Sequence, residues 1–142
     1  MKTQKFKIEV PKGFEIDEEK STFQKIVFKE SKNSLDKIFK FNNTTEKDFN
    51  KKWENFEDHE KYGALEKMIV NYYNKGEKPN WENSNQYKYH PWFVICEDNF
   101  RYDSYSCWYF GSCTSSRLAY LRKEDMLEAV ELYIDIYKKS RL

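Results

Sequence analysis

The chain has 142 residues, 25 basic and 24 acidic side chains, and a formal net charge of +1. The two signs are interspersed, which excludes the one-sided basic excess that draws a protein to nucleic acid or anionic lipid. No apolar run approaches the ~20 residues of a membrane span, so neither nucleic acid nor membrane is expected as a partner.

In chain order, residues 5–10 alternate, with Phe6, Ile8 and Val10 on one side and Lys5, Lys7 and Glu9 on the other. That is the period of a half-buried strand, ended by Pro11 and Gly13. Residues 23–29 read as a second strand, joined to the first by an acidic linker over 14–22. The lysine-rich stretch 29–42 reads as a short helix or an anchored loop. Asn43 followed by Glu46 has capping-box spacing, and Phe49, Trp53 and Phe56 then recur on one helical face. A second helix is expected over 60–74, with Leu65, Met68, Ile69, Tyr72 and Tyr73 as its apolar stripe and Gly76 beyond its end. Residues 76–86 are polar and turn-rich, and the isolated Trp81 is expected to fold back as an anchor.

The remaining stretch, 89–121, reads as two or three antiparallel strands around which the chain is organised. Residues 93–96 form one strand, Asp98 and Asn99 a turn, and 100–110 another. Alternation puts Phe100, Tyr102, Trp108 and Phe110 on one side. Arg101, Asp103, Tyr105, Cys107 and Tyr109 take the other, unless a bulge near 104–106 resets the register. Residues 111–116 make a turn, 117–121 return as a short strand, and an amphipathic helix closes the chain over 123–138. Its stripe is Met126, Leu127, Val130, Tyr133, Ile134 and Tyr137. The resulting fold class is α+β: one domain over 1–142, with an antiparallel sheet of four to five strands and two to three helices packed on one face.

Three segments carry a resemblance. IEVPKGFEIDEEKSTFQKIVFK, ALEKMIVNYYNKGEKPNW and SSRLAYLRKEDMLEAVELY together resemble a group of short uncharacterised proteins of gut-bacterial and phage genomes. Glu77 stands where that group commonly has Trp, and Asn80 where it commonly has Asp. The resemblance implies a mobile-element setting and no activity.

The residue inventory argues against familiar chemistries. Cys96, Cys107 and Cys113 lack CxxC spacing, and His59 and His90 cannot complete a zinc set, so no metal and no cofactor are expected. The N-terminus is charged where a signal peptide is apolar, and the expected location is the cytoplasm, that of the host cell if the protein is phage-encoded. A Cys107–Cys113 bridge is geometrically possible, though free thiols fit that compartment. His59 sits among carboxylates without an HExxH pair, and reads as a solvated helix junction. Residues 111–116 lack the glycines and lysine of a phosphate-binding loop.

What remains is an aromatic concentration: Trp92, Arg101, Tyr105, Trp108 and Arg117 lie on about three strands. Exposed, such a group would suit contacts with a protein, a sugar or a nucleobase; buried, it would be the core of a valine-poor domain. The first functional expectation is a non-enzymatic binding or assembly protein that self-associates or binds a protein partner through this face. The alternative is a small-ligand or nucleotide binder in which Arg101 and Arg117 contact an anion.

Overall fold

The computed structural model describes residues 7–32, 34–96, 99–108 and 118–142. Its elements in chain order are β1 (Phe14–Ile16), β2 (Phe28–Glu30), α1 (Asp36–Phe41), α2 (Glu46–Lys52), α3 (Asp58–Tyr73), β3 (Lys88–Cys96), β4 (Asn99–Trp108) and α4 (Lys123–Arg141). The fold is α+β. In place of the expected single sheet of four to five strands, the described residues form two separate two-stranded antiparallel sheets, β1–β2 and β3–β4.

The N-terminal correction has a simple cause. Residues 7–10 form no strand, and Ile8 and Val10 are exposed, because among the described residues no second layer lies against their apolar side. β1 falls instead inside the supposed linker, where Phe14 pairs with Glu30 and Ile16 with Phe28. Of the return strand expected at 117–121, the described residues 118–121 make one bridge, Tyr120 with Tyr89.

The helices follow their capping chemistry. Asn43 has a left-handed φ of 53° and cannot act as the N-cap, so Thr45 takes that role, its hydroxyl accepting from Asp48 N at 3.1 Å. α3 starts on a capping box made by Glu57 and Glu60. Of the aromatics expected on the α2 face, Phe49 is buried, whereas Phe56 lies beyond the helix and is half exposed.

The core is the seam between α3 and α4. Leu65, Ile69, Val70 and Tyr73 of α3 meet Met126, Ala129, Val130, Tyr133, Ile136 and Tyr137 of α4, with Ile38, Phe39 and Phe49 closing one side. Leu127 was expected inside this seam and is 37% exposed. The buried stripe is rotated by one step: Ala129 and Ile136 take the inner positions, and Leu127 and Ile134 flank a groove beside β4. A local break in helical geometry at Tyr133 (φ −124°, ψ 26°) accompanies this rotation. The helices run antiparallel, tied at one end by Asn74. Its side chain donates to Ala119 O at 2.9 Å and accepts from Leu121 N at 3.0 Å.

The other end is tied by charge. Glu66 is buried and receives a bidentate contact from Arg141, at 2.8 and 2.9 Å, and a third bond from the Ser140 hydroxyl at 2.8 Å. The Arg141 guanidinium also lies 4.8 Å from the Phe93 ring centre, joining the last turn of α4 to β3. Tyr120 and Tyr137 share a hydroxyl–hydroxyl bond nearby. Burial, with the Glu66 charge next in importance, pushes the Tyr137 phenol far above its ordinary range, so it stays protonated and can donate.

Removing one partner of a buried pair leaves the other charge stranded. Arg141→Ala should therefore cost about 3 kcal/mol, the low end of the buried-pair range because Arg141 keeps a quarter of its side chain in solvent. Urea titration of the variant against the parent measures this. A loss below about 0.5 kcal/mol, the level of ordinary surface substitutions, would show that the pair does not hold the helix end.

Candidate functional site

The candidate site grows from the register of β3 and β4. Lys88 pairs with Trp108, His90 with Ser106 and Trp92 with Ser104; after a shift, Phe93 pairs with Tyr102 and Val94 with Arg101. Asp103 is thus the extra residue of a β-bulge, one position before the stretch where a reset was expected. Because side chains alternate, one inserted residue exchanges the faces of everything beyond it.

The inner face, toward α4, consequently carries Phe100 and Tyr102 before the bulge and Tyr105 and Cys107 after it. Phe93 stacks on Phe100 at 4.8 Å and meets Tyr137 at 5.1 Å. Tyr105 packs on Tyr89 at 5.9 Å, with Lys123 Nζ 4.6 Å from its ring centre. The outer face carries Lys88, His90, Trp92 and Val94 from β3, and Arg101, Ser104, Ser106 and Trp108 from β4.

Two outer-face residues are nevertheless buried, His90 at 2% exposure and Lys88 at 0%. The turn-rich loop before β3 folds over them. Trp81 stacks on His90 with ring centres 6.4 Å apart, and Lys88 Nζ sits 5.5 Å from the Trp81 ring while donating to Asn83 O at 2.8 Å. Burying an ammonium this way depends on the hydrogen bond and the aromatic face together. The anchoring role expected for Trp81 is what the structure shows, whereas burial of Lys88 was not legible. A lysine alternating with His and Trp reads as solvent-facing until the loop is placed on top.

The sequence-derived site residues therefore separate. Trp92 and Trp108 lie on the outer face at 48% and 44% exposure. Arg101 shares that face and is exposed, its guanidinium 3.3 Å from Asp103. Tyr105 belongs to the opposite face: the bulge, the exception allowed for near 104–106, moves Tyr105 and Trp108 to the sides opposite to those of unbroken alternation. Arg117 lies outside the described residues, as do Tyr109, Phe110 and the 111–116 turn.

The remaining titratable groups are placed as follows. Burial pushes the Cys107 thiol above its ordinary value, the reverse of what activates a nucleophile. Cys96 and Cys107 are free thiols, and Cys113 lies outside the described residues. His59 is solvent-exposed at the start of α3, 3.2 Å from Glu57. Among the described residues no three His, Cys, Asp or Glu side chains converge as a metal site, and no helix is long and apolar enough to cross a membrane. A recess of about 560 Å³ opens beside the C-terminal half of α3, lined by Lys67, Val70, Asn71, Glu77, Lys78 and Trp81 among others. No family model, no curated protein and no solved structure matches the chain.

Burial holds the pKa of His90 below its ordinary 6.5. A depressed folded-state pKa means that the unfolded chain binds the proton more readily. The stability His90 lends as a neutral ring is present above about pH 6.5 and is lost as pH falls through that value and below it. The parent should lose stability between pH 7.5 and 5.5, and His90→Phe should lose less over the same interval. Chemical denaturation at the two pH values measures the difference, and equal losses would remove His90 as the cause.

Proposed function

We propose that this chain is a non-enzymatic binding or assembly protein that works through the outer face of the β3–β4 hairpin. Trp92 and Trp108 carry the reading: both are about half exposed on one sheet face, while the inner face is occupied by α4. Large rings left in water on one side of a sheet form the kind of patch associated with binding, and Trp dominates the energetics of such contacts. Arg101 adds a guanidinium at the far end of the same face. The partner is a protein or a second copy, and the three-segment resemblance adds a mobile-element setting in the cytoplasm of a bacterial host.

A second reading rests on the recess beside α3. One aromatic wall, Trp81, with Lys67 and Lys78 at its margin, fits a small anionic ligand with a flat ring. Arg101 does not line this recess, since it lies on the outer face of β4.

Trp92→Ala and Trp108→Ala test the first reading. Exposed anchors should leave stability within about 0.5 kcal/mol of the parent. Each should weaken association by at least ~2 kcal/mol, about thirtyfold, in sedimentation velocity. Losses of about 3–5 kcal/mol of stability with association unchanged would return both rings to the core. Native mass spectrometry showing a bound small molecule that Lys67→Ala or Lys78→Ala releases would favour the recess.

A further inference from the structure

β4 is an outer strand. It pairs with β3 along one edge, and among the described residues nothing pairs with the other. Proteins commonly blunt such an edge with charge, proline or a bulge. Here the devices protect only the first half of the strand, where Arg101 and the Asp103 bulge lie. Beyond the bulge, Ser104 to Trp108 contains no charge, proline or glycine. We propose that this second half of β4 is the contact with a second copy of the chain, the two β4 strands pairing antiparallel about a two-fold axis through Ser106.

The inference rests on the outer-face reading above and specifies its partner. Antiparallel pairing about Ser106 sets Ser104 opposite the second copy's Trp108, and Tyr105 opposite the second copy's Cys107. Outer-face residues then meet outer-face residues, and inner meet inner, along the whole segment. A centre at Tyr102 fails this requirement, because the bulge turns Phe100 inward and Ser104 outward while that register would oppose them. The side chains are also self-complementary in size. Across the joined sheet the outer row reads Trp92, Ser104, then the second copy's Trp108, so each small serine leaves a notch between two large rings. The uncharged segment sets no like charges against each other at the axis.

Ser106 adds an independent observation. Its hydroxyl is buried and makes no hydrogen bond among the described residues. Once turned out of its covered position toward the edge, the hydroxyl can bond its own counterpart, as serine and threonine pairs do across strands. The scale of the contact is modest. Four half-exposed tryptophans contribute on the order of 400 Å², and with Tyr105 and the strand edges the total is on the order of 1,000 Å². That is the low end for specific interfaces, so the expected species is a dimer in exchange with monomer at micromolar concentration.

Three measurements on the full chain decide it. Sedimentation velocity over about 5 to 500 µM should show monomer converting to dimer. Ser104→Lys, which places a charge opposite the second copy's Trp108 yet faces solvent in the monomer, should weaken the dimer at least tenfold with an unchanged melt. Ser106→Cys, with the three native cysteines replaced by serine, should form a covalent dimer on mild oxidation, since directly opposed strand residues have the Cα spacing a disulfide needs. A chain that stays monomeric throughout overturns the proposal, as does a dimer that ignores Ser104→Lys and does not cross-link. If Trp92→Ala abolishes association while Ser106→Cys stays uncoupled, this register falls and the outer-face reading stands. A monomer that takes up a foreign strand along β4 would also overturn the second copy as partner.

Discussion

A two-stranded hairpin is not stable alone in water, and the geometry of this chain depends on how β3–β4 is held. The support is the antiparallel pair α3 and α4, whose seam is the core and whose flank covers the inner face of the hairpin. Phe93 is the junction, touching Phe100 and Tyr102 within the hairpin and Tyr137 on α4. With one face occupied in this way, the composition of the other is released from packing and can serve a partner.

Polar groups at the ends of the helix pair set its alignment. Asn74 ties the end of α3 to the segment before α4, using one donor and one acceptor on backbone groups that would otherwise lack partners. Glu66 and Arg141 do the same at the opposite end with charge. Such pairs add little net stability over an apolar replacement, but a wrong alignment of the helices would strand the Glu66 carboxylate in the core. The alignment in turn decides which residues of α4 face inward, and therefore that Leu127 and Ile134 border β4.

The outer face combines two treatments of aromatic and basic residues. Under Trp81, His90 and Lys88 are withdrawn from solvent and held by ring stacking and a backbone carbonyl. Farther along, Trp92 and Trp108 are left half in water. The division follows the reach of the loop before β3. Residues it covers behave as a small secondary core, and Trp92 and Trp108 beyond it stay about half exposed.

Periodicity was enough to read the two long helices, the antiparallel strands around 93–108 and the anchoring of Trp81, because each is encoded by neighbours a few positions apart. The sheet count, the depth of Leu127 and the face of Tyr105 were not readable in that way. β1 forms where a pairing partner exists, although the stronger alternation lies earlier, at Ile8 and Val10. Lys88 is buried because a distant tryptophan covers it. The concentration of Trp92, Arg101, Tyr105 and Trp108 in one stretch was determined by the sequence. Tertiary structure alone decided that Trp92 and Trp108 share one face while Tyr105, itself 38% exposed, lies on the α4 side, because a single inserted residue, Asp103, reverses every side chain beyond it and local alternation does not fix where that shift falls.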